Sequence, residues 1–189
     1  MLFVQKLFLA LPLFAAALAS ELGADGTGSV FPVSGNHMGA AQVTDGDTRV
    51  FYQDSKAGTI VQVAVSNAFN IGQFEGTNVV VPSDEVRNNT PIAVPSPTQA
   101  TFSVLRVFFF SPDNILSEYF FNGTGFEGGP TCTTCITAEG FVGVAGSQML
   151  YALANTVTLR VGFVSAGSPG TISEAVNSGN GWSVASLTA

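Results

Sequence analysis

Three arginines are each followed, 12 to 14 residues later, by a glutamate or a glutamine. The pairs are Arg106 with Glu118, Arg160 with Glu174, and Arg49 with Gln62. A planar guanidinium offers fixed donors and a carboxylate offers acceptors, so such a pair can bind adjacent hydroxyl groups of a sugar. An aromatic ring nearby could cover the apolar side of the sugar, and Phe126 and Trp182 each follow a glutamate by eight residues. The spacing therefore indicates carbohydrate binding.

The segment between the members of each pair predicts a β-hairpin. Residues that lie opposite each other in an antiparallel hairpin have a constant sum of residue numbers. Arg106 and Glu118 are symmetric about Pro112, and the other two pairs about Gly167 and the Ser55–Lys56 peptide. We therefore expect each pair to lie directly opposite, within contact distance. A single exposed pair of this kind is a common stabilising contact worth well under ~1 kcal/mol, but its repetition favours a binding role.

The rest of the chain carries short apolar segments separated by turn residues, without a helical period, which predicts an all-β protein. The arginines recur after 57 and 54 residues, with about four short strands in each unit. Such units are typical of β-propeller blades, which are four-stranded antiparallel sheets. We expect about three blades, at 38–82, 93–130 and 141–189. Because closed propellers have four to eight blades, either a homo-oligomer completes the ring or the propeller is incomplete. A β-sandwich is the structural alternative.

These motifs resemble the repeats of the fungal fucose-specific lectins, which are six-bladed β-propellers. The resemblance covers about residues 38–189. Its matching pieces are Arg49-Val50-Phe51-Tyr52-Gln53-Asp54, Arg106-Val107-Phe108-Phe109, Leu116-Ser117-Glu118, Arg160-Val161, Ile172-Ser173-Glu174 and Gly181-Trp182. It implies sugar pockets between adjacent blades, with arginine and glutamate on the ring hydroxyls and an aromatic side chain against the sugar. The residues so implied are Arg106, Glu118, Arg160, Glu174, Trp182, Phe126, Arg49 and Gln62.

The chain also departs from that pattern. Gln62 replaces a glutamate, Phe126 and the region 69–70 replace tryptophan, and Gly162 begins a segment that is aromatic-rich in the family. Two hypotheses follow. The first is a lectin that recognises L-fucose-containing glycans or glycoproteins. The alternative is a propeller-type interaction or effector protein with degenerate sugar sites and no catalysis.

Net charge and the positions of candidate catalytic residues argue against several other functions. The net charge of −7 leaves no basic patch for nucleic acid or for an anionic membrane surface. A glycosidase needs two carboxylates around one bond, whereas Glu118 and Glu174 belong to separate repeats. The segment 166–170, AGSPG, lacks the first glycine of a nucleophile elbow. We expect no catalytic residues, no cofactor and no metal site.

The N-terminal residues 1–19 have the charged, apolar and small-residue regions of a secretory signal peptide, and residues 20–37 read as a lead-in segment. We therefore expect a secreted, extracellular protein without membrane insertion. Asn88 and Asn122 begin sequons for N-glycosylation. In an oxidising compartment, Cys132 and Cys135 could form a short disulfide or remain two thiols in a loop.

Overall fold

The computed structural model describes residues 31–95 and 102–188, and within them the chain folds into three antiparallel β-sheets. The predicted signal peptide and most of the predicted lead-in lie outside these residues. The remaining lead-in residues are not a loose segment: the first strand already begins at Val33. The reason is that residues 33–42 pair with the second strand, apart from a bulge between Ser34 and Gly39.

Sheet 1 contains four strands in sequence order: β1 (Val33–Gln42), β2 (Thr48–Asp54), β3 (Ile60–Val65) and β4 (Phe74–Val81). Each strand pairs with the next through a short connection, as the turn residues of the sequence predict. Gly46 and Gly58 have φ angles of 106° and 76° in the first two turns, a region that disfavours side chains with a Cβ.

Sheet 2 has three strands rather than the expected four: β5 (Leu105–Phe110), β6 (Leu116–Phe121) and β7 (Phe126–Gly128). In place of a fourth strand, Ala93 forms an isolated bridge to Phe108 through two backbone hydrogen bonds of 2.9 and 3.0 Å. Ala93 lies in residues 82–98, a proline-rich connector between sheets 1 and 2, where proline limits regular pairing. The connector therefore contributes one bridge to the sheet instead of a strand. A 3₁₀ turn at Ser83–Glu85 opens it.

Sheet 3 again has four strands in sequence order: β8 (Leu150–Ala154), β9 (Leu159–Phe163), β10 (Ser173–Asn177) and β11 (Trp182–Ser186). Between sheets 2 and 3 the chain makes two 3₁₀ turns, Gly129–Thr131 and Ile136–Glu139. Cys132 and Cys135 lie between these turns and form a disulfide.

Alternation along the strands gives every sheet two distinct faces. We call the face that carries Arg49, Arg106 or Arg160 the arginine face. We call the opposite face the aromatic face, because it carries Phe74 in sheet 1, Phe126 in sheet 2 and Trp182 in sheet 3. These three rings occupy equivalent positions: each pairs with the residue that lies three positions after Gln62, Glu118 or Glu174.

Two apolar clusters join the sheets in the same direction. The arginine face of sheet 1, with Phe51, packs on the aromatic face of sheet 2, with Val107. The arginine face of sheet 2, with Phe108, packs on the aromatic face of sheet 3, with Phe163. Fully burying each of these phenylalanines stabilises the fold by about 1.5–3 kcal/mol. Among the described residues, none of the apolar clusters places a sheet on the arginine face of sheet 3.

Candidate functional site

The predicted pairing of arginine with glutamate is wrong by two residues in all three hairpins. Arg106 lies opposite Phe120, and Glu118 lies opposite Phe108. In sheet 3 the corresponding partners are Val176 and Gly162, and in sheet 1 they are Ala64 and Phe51. Each turn is centred one residue later than the symmetric reading assumed.

The hairpin of sheet 2 shows the physical reason. Ser111 donates its N–H to the carbonyl of Ile115, so three residues form the loop. Asn114, the last of them, adopts a φ of 61°, which the sequence reading did not anticipate. A shift of two residues keeps both side chains on the same face and makes them diagonal neighbours. Diagonal neighbours remain within reach of a long arginine side chain.

In sheet 2, Arg106 and Glu118 form an ion pair, but the glutamate is sealed from solvent. The Glu118 side chain is 0% exposed, whereas that of Arg106 is 34% exposed. Oε1 accepts from the arginine, and Oε2 accepts the N–H of Ile136 at 3.1 Å. The guanidinium also lies over the Phe120 ring, 5.2 Å from its centroid. Glu118 is therefore placed to orient Arg106 rather than to contact a ligand.

The loop that carries the disulfide encloses Glu118. The Glu118 N–H donates to Oγ1 of Thr137 at 2.9 Å, which ties strand β6 to the loop. Cys135 and Ile136 are 2% and 0% exposed, so the residues that follow the disulfide are packed into the core. The sequence did not indicate this contact, because the loop lies outside the predicted hairpin that contains Glu118.

Trp182 lies in sheet 3, but its ring faces the candidate site of Arg106 and Glu118 in sheet 2 rather than the Arg160–Glu174 pair of its own sheet. It lies on the aromatic face of sheet 3, half-buried, with its ring edge-to-face against Phe108 at 6.3 Å between centroids. The two residues bridge the same interface that contains Arg106 and Glu118. Arg160 and Glu174 lie on the other face of the sheet.

In sheet 1, Arg49 bonds to Glu75 of β4 at 3.3 Å rather than to Gln62. Its guanidinium also lies 4.8 Å from the centroid of the Phe102 ring. Phe126 reaches this interface from sheet 2 and packs edge-to-face on Phe51, at 6.3 Å. With the arginine side chain only 18% exposed, this candidate site is largely filled by the protein itself.

The pair in sheet 3 is the accessible one. Arg160 binds Glu174 through two parallel hydrogen bonds, Nε to Oε1 and Nη2 to Oε2, both 2.9 Å. The arginine and glutamate side chains are 47% and 22% exposed. Bonding to Arg160 lowers the pKa of Glu174 and raises that of Arg160, so the pair remains charged.

Tyr151 completes this cluster, and the sequence reading missed it. Its hydroxyl donates to Oε2 of Glu174 at 2.7 Å, and this bond to a carboxylate raises the pKa of the phenol. The ring lies directly over Gly162, where an added Cβ would collide with it. A glycine inside a strand often marks such a close approach, so Gly162 was the available signal.

Beside Tyr151 lies a cavity of about 270 Å³, walled by His37, Met149, Gly162 and Ile172 among others. The Tyr151 ring is part of its wall, and the surface of the cavity is mainly apolar. His37, which the sequence left without a role, is an exposed residue of the bulge in β1. The polar Arg160–Glu174 pair and this apolar cavity thus share the Tyr151 ring.

The two glutamates do not form a catalytic pair of carboxylates. Glu118 faces the interface between sheets 2 and 3, whereas Glu174 lies on the far side of sheet 3. In the described part of the chain, no three His, Cys, Asp or Glu side chains are grouped to hold a metal ion. No helix among the described residues is long and apolar enough to cross a membrane.

The arrangement of sheets defines a β-propeller, and the same fold is found in lectins of known structure. AofleA from Arthrobotrys oligospora matches with a TM-score of 0.66 and 18% identity, over 84% of this chain and 44% of that chain. The Aleuria aurantia lectin, a six-bladed β-propeller, matches with a TM-score of 0.61 and 21% identity, over 85% and 52%. A fucose lectin from Kordia zhangzhouensis matches with a TM-score of 0.55 and 11% identity, over 80% and 99%.

No family model and no curated protein sequence matches the chain. The chain spans about half the length of the two fungal lectins. At these identities the likeness establishes the fold. The propeller expectation and the resemblance to fungal fucose-specific lectins in fold are therefore confirmed, and the β-sandwich alternative is wrong.

Proposed function

We propose that the chain is a secreted, non-catalytic lectin that binds L-fucose-containing glycans, with Arg160 and Glu174 as the principal sugar-binding pair. The observation that carries this proposal is the solvent-accessible Arg160–Glu174 pair, joined by two hydrogen bonds, in a fold shared with fucose-binding lectins. A guanidinium held in a fixed plane by a carboxylate presents its remaining N–H donors to hydroxyl groups at little entropic cost.

The site in sheet 2 is the second candidate pocket. Arg106 is partly exposed and shares its interface with Trp182, which fits the expected pocket between two blades. Glu118 would act there as a positioning residue. The site in sheet 1 has the weakest support, because Glu75 and Phe102 already occupy the guanidinium of Arg49.

A calorimetric titration of the purified chain with methyl α-L-fucoside tests the proposal. We expect weak binding to single sites, so a glycan array with multivalent display should give a stronger response. A folded, secreted product that binds no fucoside in either assay would overturn the lectin proposal. Secretion itself is tested by N-terminal sequencing of protein recovered from the culture medium.

The second candidate function is a propeller-type interaction protein that has lost sugar binding. The burial of one residue of the pair in two of the three sites favours it: the side chain of Glu118 is 0% exposed and that of Arg49 is 18% exposed. This candidate predicts a folded protein that captures a protein partner and gives no response on the array.

The lectin proposal includes fucosylated glycans or glycoproteins as partners and a second copy of the chain as a partner that completes the ring. Assembly of two copies is supported by the number of sheets: the described residues form three, whereas the structurally similar Aleuria aurantia lectin has six blades. Light scattering tests it, since a compact monomer contradicts assembly of two copies.

A further inference from the structure

Sheet 3 reverses an arrangement of large and small side chains that the other two sheets share. The residue that pairs with the glutamine or glutamate of β3 or β6 is Phe51 in sheet 1 and Phe108 in sheet 2. On the preceding segment, the residues opposite these rings are small, Gly39 and Ala93.

At the equivalent position of sheet 3 the residue is Gly162, and the residue opposite it is Tyr151. The ring has thus moved from the second strand to the first. Phenylalanine and tyrosine are similar in volume, so each sheet carries one large ring at this position, but the chemistry of the face of sheet 3 differs.

The exchange has two consequences for the surface. Phe51 and Phe108 are both 0% exposed, whereas Tyr151 is 39% exposed. In addition, the tyrosine brings a hydroxyl, which reaches across the glycine to Glu174. The arginine face of sheet 3 therefore presents an accessible aromatic ring beside an ion pair.

We propose that Tyr151 is a third sugar-contacting and specificity-determining residue, so that the site of sheet 3 is assembled within one sheet from β8, β9 and β10. This inference rests on the proposed function. The exposed ring supplies the apolar surface against which the C–H face of a sugar packs. In the interface between sheets 1 and 2, and in that between sheets 2 and 3, Phe126 and Trp182 come instead from the neighbouring sheet.

The bonds already made within the cluster define the ligand chemistry. Arg160 uses two of its five N–H donors on Glu174, which leaves three. Oε2 of Glu174 accepts from both Arg160 and Tyr151, so little acceptor capacity remains on that oxygen. The site therefore favours a monosaccharide that places two neighbouring oxygen acceptors at the arginine and an apolar ring face over the tyrosine.

The test compares three Tyr151 variants with Tyr119→Phe and Arg160→Ala, all in the full mature chain, in a calorimetric titration with methyl α-L-fucoside. Tyr151→Phe keeps the ring and removes the hydroxyl, and we expect binding to this site to weaken about three- to tenfold. Tyr151→Ala removes the platform as well and should weaken it further. The double variant Tyr151→Gly with Gly162→Phe rebuilds the arrangement of the other two sheets and should bind as poorly as Tyr151→Ala.

Tyr119→Phe is the matched control, because the Tyr119 hydroxyl bonds to another carboxylate, Oε2 of Glu85, at 2.9 Å in the interface of sheets 1 and 2. We expect it to leave the fucoside affinity unchanged. Near-ultraviolet titration of the phenols supplies a readout that a purely structural role would not move. Bound fucoside should perturb the ionisation of one tyrosine in the wild type and in the control, and of none in Tyr151→Phe.

Wild-type affinity in all three Tyr151 variants, together with loss of binding in Arg160→Ala, would overturn this inference and leave the lectin proposal intact. Retained binding in Arg160→Ala as well would overturn the assignment of the site. A wild-type chain that binds no fucoside would overturn both proposals.

Discussion

Glu174 and Trp182 lie on opposite faces of sheet 3, although only eight residues separate them and both belong to the same hairpin. The glutamate points to the open side with Arg160, whereas the tryptophan packs toward Phe108 of sheet 2. A hairpin of this protein therefore contributes to two separate sites. Substitutions at its two ends should have different effects.

The first prediction concerns the three arginines. Arg160→Ala should weaken fucoside binding most, about ten- to a hundredfold at its site, because charge-assisted hydrogen bonds to the ligand are lost. Arg106→Ala should have a smaller effect, and Arg49→Ala the smallest. Calorimetric titration of each variant checks the order. Equal affinity in all three variants would contradict the assignment of sites.

The second prediction concerns Trp182. Trp182→Ala should lower the free energy of unfolding by about 2 kcal/mol, since a half-buried ring that packs on Phe108 is removed. Binding at the Arg160 site should persist, because that site lies on the other face of the sheet. Urea denaturation and fucoside titration of the same variant test both parts. Unchanged stability would argue against the interface described for sheets 2 and 3.

The third prediction concerns pH. The pKa of Glu174 is lowered from its ordinary value of 4.5, chiefly by the hydrogen bond from Arg160. A carboxylate of this kind contributes above its ordinary pKa, and the contribution is lost as the pH falls through the lowered value. Fucoside affinity should therefore stay constant from neutral pH to about 4.5 and decline below it.

Glu174→Gln is the control for this pH dependence, because the amide does not titrate. Its affinity should be lower at neutral pH and nearly constant with acidification. A decline of the same steepness in this variant would assign the acid transition to another group.

The fourth prediction concerns the disulfide. Replacing both Cys132 and Cys135 by serine should loosen the loop whose Ile136 N–H and Thr137 hydroxyl hold Glu118. We expect a lower Tm and weaker binding at the Arg106 site, with the Arg160 site unaffected. Fucoside titrations of this variant in the Arg160→Ala and Arg106→Ala backgrounds separate the two sites. Loss confined to the Arg160 site would refute the link between the loop and Glu118.

Local patterns in the sequence predicted the all-β fold, the three repeats and the arginine–glutamate proximity in sheets 2 and 3, but not the missing fourth strand of sheet 2. The exact register did not follow from them, because Asn114 adopts a left-handed conformation at the last position of a loop that is centred one residue later than expected. Burial of Glu118 was also out of reach, since it depends on Ile136, which reaches the carboxylate from outside the hairpin.

Tyr151 was missed for a different reason. The predicted site residues recur in all three repeats, whereas Tyr151 stands where the other two repeats have the small residues Gly39 and Ala93. A residue that distinguishes one repeat from its relatives is invisible to a search for what they share. The unexpected glycine opposite it was the only trace in the sequence.

The constant orientation of the faces gives the row of sheets a direction. Sheets 1 and 2 each turn the arginine face toward the sheet that follows, and sheets 2 and 3 each turn the aromatic face toward the sheet that precedes. The number of sites shared between sheets therefore equals the number of junctions between sheets. An open row of sheets has one junction fewer than it has sheets, whereas a closed ring has as many junctions as sheets. Duplication of one repeat would add a junction, and with it one more site, without any change to the existing ones.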